Sequence, residues 1–157
     1  MMSLTIEQEA TNSMTQKHIR RVGELVSKVI KELLDRATHH DSSKLESPEV
    51  EAFTEFTPKL AETTYGSDEY KGFLAQMKPA LDHHYANGRH HPEHFKNGID
   101  DMNLIDIVEM LCDFKAASER HNDGNIRKSL EINADRFGLS PQLVKILENT
   151  SDLLFGK

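Results

Sequence analysis

The chain has 157 residues, a formal net charge of -7 and 37% hydrophobic residues. That length points to one domain, able to bury roughly two-thirds of the surface its unfolded chain exposes. The acidity argues against broad binding to a nucleic-acid backbone, whose affinity comes from Lys and Arg displacing counterions, and leaves only a local basic patch open, and no apolar run approaches the ~20 residues that span a bilayer.

Taken in order, residues 1–11 are polar and unpatterned and read as a flexible N-terminal tail, followed by one helical domain over 12–157. Met1 to Asn12 lacks the basic-then-apolar organisation of a signal peptide, and Cys112 is the only cysteine. A reducing, cytoplasmic location is therefore expected. From Ile19 the apolar positions Val22, Leu25, Val26, Val29, Ile30, Leu33, Leu34 and Ala37 have the three-and-four spacing of an amphipathic helix. Ser47-Pro48 opens a second helix through Val50, Phe53 and Phe56, which Thr57-Pro58 is expected to break or restart. A loop over 62–67 leads to Ser67, which caps a helix carrying Phe73, Met77 and Leu81, with a kink or restart at Pro79. Asn97-Gly98 makes a turn, and Asn103 begins a helix that is apolar nearly all round and ends near Asn122-Asp123-Gly124. A helix over Ile126 to Phe137 is stopped by Gly138, and Ser140-Pro141 opens the last one. Its apolar stripe of Leu143, Ile146, Leu147 and Leu153 is expected to pack on the core, with a homodimer surface as the alternative. No sustained apolar-polar alternation calls for strands, so the expected fold is all-α, a compact single-domain helical bundle.

The chemistry concentrates in His83-His84-Tyr85-Ala86-Asn87-Gly88-Arg89-His90-His91-Pro92-Glu93-His94, where five of the nine histidines fall within twelve residues. Imidazole is the commonest metal ligand and titrates near neutrality, so the cluster points to a metal or proton-transfer site, against the alternative of an exposed His-rich loop. In the helix from Asn103, Asp106, Glu109 and Asp113 share a face by spacing. Buried carboxylates need a cation or a Lys or Arg partner, so this face meets one or the other. His40-Asp41 adds an adjacent imidazole and carboxylate, with Lys44 three residues on. A mixed nitrogen and oxygen shell suits Mn, Fe, Co, Ni or Zn better than Ca or Mg.

His40-Asp41 with Lys44 resembles the His-Asp-x-x-Lys segment of the HD superfamily of metal-dependent phosphohydrolases. His40-Asp41-Ser42-Ser43-Lys44 with Glu49, then His84 with Arg89-His90-His91-Pro92-Glu93-His94, then Glu109-Met110 with Asp113 and Ala116-Ala117, is more specifically similar to an uncharacterised family of phage and bacterial genomes. The resemblance covers about residues 18 to 120, and departs from that family's pattern at Gly88, where an Asn is expected and Asn87 precedes it. It implies an HD-like fold, with His40, Asp41 and Asp113 as core metal ligands and Asp106 as the alternative last one. His84, His90 and His91 would extend the site toward a second metal or toward phosphate, with Glu109 and His94 as further ligand candidates. His18 matches the lone first histidine of the superfamily, but an unbroken helix would hold it roughly 33 Å from His40. His39 and His121 read as solvent-facing.

The expected function is hydrolysis of a nucleotide or other small phosphate ester by water activated on a divalent transition metal. Lys44 and Arg89 are candidate phosphate clamps, and His90, His91 or Glu93 candidate proton donors to the leaving oxygen. The alternative is a helical binding module, perhaps phage-encoded and acting in host cytoplasm, whose metal is structural or absent.

Overall fold

The computed structural model describes residues 4–64, 67–120 and 124–156, and every regular element in them is helical: seven α-helices and three 3-10 turns. The all-α fold class is as expected. The expected loop at 62–67 and the helix end at 122–124 fall partly outside the described residues, as does His121.

The first element, α1 (Ile6–His39), is a single helix of 34 residues. It begins inside the stretch expected to be a flexible tail, and the reason is a capping box. Gln8 donates its backbone N–H to Thr5 Oγ1 at 3.2 Å, while Thr5 donates its own to Gln8 Oε1 at 2.9 Å. Glu7 and Glu9 add negative charge to the first turn, where the helix dipole favours it. Nothing interrupts α1, so His18 sits roughly 32 Å along the axis from the helix's own C-terminal end. No residue of α1 is buried, and its apolar stripe is exposed, from 43% at Val22 to 64% at Leu34, except for the half-buried Leu33. By internal packing the chain divides into two compact units, Met1–Thr38 and His39–Lys157.

The second unit carries a 3-10 turn (Ser42–Leu45), α2 (Glu49–Glu62), α3 (Asp68–Gln76), α4 (Lys78–Asn87), two further 3-10 turns (Pro92–His94 and Gly98–Asp101), α5 (Leu104–Ser118), α6 (Ile126–Phe137) and α7 (Pro141–Phe155). Pro58 lies inside α2 without ending it, whereas Pro79 falls in the first turn of α4, which restarts the chain after α3. Ser67, Asn103 and Ser140 accept the first backbone N–H groups of α3, α5 and α7, and Gly138, at φ 64°, closes α6 in the left-handed region.

The core is built by Ile107, Met110 and Leu111 of α5 against Leu130, Leu139 and Leu147, each burial worth roughly 1.5–3 kcal/mol. The nearly all-apolar α5 is thus two-sided, with Leu104 at one end 79% exposed. In α7 the expected stripe splits, because Leu147 is buried in the core and Leu143 packs at its edge while Ile146 and Leu153 remain exposed. Phe56 of α2, Met77 just before α4 and Ala80 within it are also buried, and α2 packs against α4. These buried residues lie on the elements that carry the histidines and the acids.

Candidate metal centre

His40 and Asp41 follow α1 directly, and Asp41 takes a left-handed conformation (φ 56°, ψ 14°) that Asp tolerates better than most residues. This turns the chain into the 3-10 segment and aims the carboxylate at α4. There His84 is buried one turn before the helix ends. Gly88 closes α4 by donating its N–H to the His84 carbonyl at 2.8 Å. A Cβ at Gly88 would meet His91 Cδ2 at 3.0 Å, the His84 carbonyl at 3.2 Å and His90 Cε1 at 3.3 Å. Glycine therefore lets the backbone double back closely enough for His84, His90 and His91 to meet. The neighbouring Asn87 donates to the His83 carbonyl instead.

Donor atoms of Asp41, His84, His90 and His91 converge within 4.8 Å of one another. Asp41 Oδ1 lies 3.4 Å from both His84 Nε2 and His90 Nε2. A tetrahedral shell with bonds of about 2.1 Å has edges of about 3.4 Å. His84 Nε2 and His91 Nε2 are closer, at 2.8 Å, the separation of an N–H···N hydrogen bond. Asp41 Oδ1 and His90 Nε2 are buried yet have no hydrogen-bond partner. Leaving such atoms unsatisfied costs about 1–3 kcal/mol each, a cost that a cation between them removes. Three imidazole nitrogens and one carboxylate oxygen thus fit a divalent transition metal, and suit calcium or magnesium poorly.

A second layer of carboxylates holds the imidazoles. His84 Nδ1 donates to Glu49 Oε2 at 2.9 Å, and His83 Nδ1 lies 2.7 Å from the other oxygen of the same fully buried carboxylate. His90 Nδ1 and His40 Nδ1 lie 3.1 and 3.0 Å from Glu109 Oε1. Donation through Nδ1 leaves Nε2 as the free lone pair, which is how carboxylates orient metal-binding histidines. Glu109, a candidate ligand by sequence, forms with His40 and His90 a second group of mutually close donors. Because its oxygen already receives both Nδ1–H groups, its place is behind the centre.

Electrostatics agree with this arrangement. Burial, then the neighbouring His90 and His84, push the His91 imidazole down to about 3, and burial together with Lys44 lowers His84. Both are neutral at pH 7, as metal ligands must be. Burial alone would raise the Asp41 carboxyl, but the adjacent His90 and Lys44 outweigh it and hold it well below the usual range. Asp113, 3.8 Å from His40 Nε2, and Glu109 raise His40 to about 10. His90 is raised as well, burial being outweighed by Asp41 and Glu109. Without metal, the His40 imidazolium supplies part of the positive charge that a cation would bring.

The other candidates fall elsewhere. Asp113, implied as a core ligand by the resemblance, stands beside His40 rather than among the four converging donors. Asp106 is taken up by Arg89, which donates to both its oxygens at 3.1 and 3.0 Å, and by the Asn103 backbone N–H. This fully buried acid is thus matched by an arginine and a helix cap, and Arg89 is turned away from the centre toward it. Lys44 donates to Asp41 Oδ2. Glu93 pairs with Arg136 at 2.7 Å, and His94 Nδ1 donates to the Tyr85 carbonyl at 2.8 Å. His18 belongs to α1 in the first unit, and His39 is exposed. Glu49 is the residue that the site reading of the sequence left out. Its one signal was its place in the first block of the resemblance, since nothing local marks a glutamate in a first helical turn as buried.

His91 and Asp113 also form one wall of a cavity of about 470 Å³ between α5 and α6. Its size lies in the range of small-molecule sites.

The model of a family of unknown function, DUF5662, matches residues 7–153. The chain belongs to the DUF5662 family. No curated protein and no solved structure matches it. In this DUF5662 chain the match takes in α1 and all the elements that build the centre.

Proposed function

We propose that this DUF5662 chain is a metal-dependent hydrolase of small phosphate esters. The observation that carries the proposal is the convergence of Asp41 Oδ1 with three carboxylate-oriented or mutually bonded imidazoles at the edge of a cavity. The resemblance of the His-Asp-x-x-Lys segment to the HD superfamily supports the same reading. Asp41, His84, His90 and His91 would hold the cation. A divalent cation lowers the pKa of water and polarises a phosphoryl oxygen, supplying nucleophile and electrophile together.

The chain's own residues supply the rest. Glu49 and Glu109 hold the imidazole rings through Nδ1. Lys44 secures Asp41 through Oδ2 and leaves Oδ1 directed at the imidazoles. Asp113 lines the cavity next to His91, and the nearby His40 keeps its carboxyl ionised against burial. It is placed to accept a proton from attacking water, a role that contributes about 10²–10⁴-fold where it operates. Phosphate release from a panel of monoesters and nucleotides with manganese, cobalt, nickel or zinc is the test. Asp41→Ala should abolish turnover, and Asp113→Asn should lower kcat at least about 100-fold while retaining bound metal. Full activity in Asp41→Ala would overturn the proposal.

One observation favours a second reading, a helical binding module with structural metal: the chain offers four converging donors, as many as a structural zinc site would need without water. Chelation separates the two. A structural site loses helicity and thermal stability with its metal, whereas a catalytic one loses turnover and largely keeps its fold.

A further inference from the structure

We propose that the groove between α5 and α6 recognises the organic part of the substrate, and that this part is a flat apolar body carrying a second anionic group bound by Lys128 and Arg136. The inference rests on the hydrolase reading for the role of the ester, but the groove's own chemistry stands apart from it. Residues of α6 at 128, 129, 132, 133, 136 and 137 line the cavity, and their spacing makes them one helix face. Opposite them Phe114 and Ala117 continue the wall of α5 from Asp113, so the groove runs directly off the metal centre.

Its charge runs against that of the molecule. The chain has 26 acidic and 19 basic residues, yet the lining has two cations, Lys128 and Arg136, and one carboxylate, Asp113, at the end nearest the centre. Lys128 makes no ion pair among the described residues, and Arg136 shares its charge with Glu93 at the rim. An anion entering past the centre meets these two groups.

The remaining surface sets the body of the ligand. Phe114 and Phe137 present parallel rings, and Ile132, on the same face of α6 as Phe137, is 51% exposed. The neutral polar groups are largely occupied. Asn133 donates to the Ser129 carbonyl at 2.9 Å, Asn125 caps α6 through its side-chain oxygen, and Ser118 donates to the Lys115 carbonyl at 2.7 Å. With these neutral groups turned to the backbone, the apolar surface of Phe114, Ala117, Ile132 and Phe137 suits the wall to an aromatic or aliphatic body.

The test uses the zinc- or manganese-loaded full chain with phenyl phosphate, 4-carboxyphenyl phosphate and glycerol phosphate, reading KM by phosphate release and Kd by calorimetry. The carboxylated ester should bind about tenfold more tightly than phenyl phosphate, as expected for one charged hydrogen-bonded contact, and glycerol phosphate should bind most weakly. Lys128→Ala with Arg136→Ala should collapse that preference to less than about threefold. Lys128→Glu should turn it toward 4-(aminomethyl)phenyl phosphate. Binding with these preferences but without turnover would sink the hydrolase reading and uphold the groove. Turnover of both aryl esters with equal KM in wild type and variants would overturn the groove and leave the hydrolase standing, and absence of binding by all three esters would overturn both.

Discussion

Glu49 carries an uncommon load for one side chain: with no exposed surface, its two oxygens receive His83 and His84. A carboxylate buried there is tolerable because each of its oxygens is met by an imidazole N–H group. Glu49→Gln should therefore weaken metal binding by about 10–100-fold, the usual effect of losing a carboxylate behind a ligand histidine, as measured by competition with a chromogenic chelator. Affinity equal to wild type would show that His84 is not a ligand. Gly88 acts at the same scale. Its lack of a Cβ is what permits the approach of His84, His90 and His91. Residue types announced the donors, because histidines at this density seldom lack a chemical role. Their division into inner donors and outer carboxylates was not legible, since it depends on which nitrogen of each ring faces which oxygen.

Among the elements, α5 does two jobs that are set by its phase. Ile107, Met110 and Leu111 bury one face in the core, and Glu109 and Asp113 reach the centre from another. The phase is locked at the N-terminus, where Asn103 accepts the Ile105 and Asp106 N–H groups and Asp106 returns the bond to the Asn103 N–H. Asn103→Ala should cost about 1–2 kcal/mol in chemical denaturation. A change within about 0.3 kcal/mol would mean that Arg89, which holds Asp106 from outside the helix, suffices by itself. The spacing of Asp106, Glu109 and Asp113 was readable as one acidic face. Their three separate fates were not, because Arg89 and His40 approach from 17 and 73 residues away along the chain.

For the whole molecule, the charge of the centre links metal, protons and stability. His40 is raised from 6.5 to about 10 by Asp113 and Glu109. A group raised on folding contributes stability that is fully present below its unfolded value and is lost as pH rises through its folded value. The melting temperature of chelated protein should accordingly carry a component that declines between about pH 6.5 and 10. Metal binding has the opposite dependence, since His90 must lose its proton, so added zinc should raise the melting temperature more near pH 8.5 than near pH 6.5. A zinc effect that is flat across this range, by differential scanning fluorimetry, would argue against imidazole ligation. Among the described residues no helix is long and apolar enough to cross a membrane.

The sequence by itself determined the helices, because apolar spacing, proline placement and the capping residues Ser67, Asn103 and Ser140 act within a turn or two of backbone. It also placed an abundance of imidazole, the His40-Asp41 pair and an acidic face of α5 in the chain. Only the tertiary structure decided that Asp41, His84, His90 and His91 converge, that Glu49 and Glu109 stand behind them, and that Arg89 and Asp106 neutralise each other. It likewise separated α1 as a unit whose apolar stripe is exposed, where periodicity alone implied a buried face. The physical reason is common to all of these: burial and charge pairing are set by groups distant in the chain, and a local pattern specifies the side that is apolar without specifying what meets it.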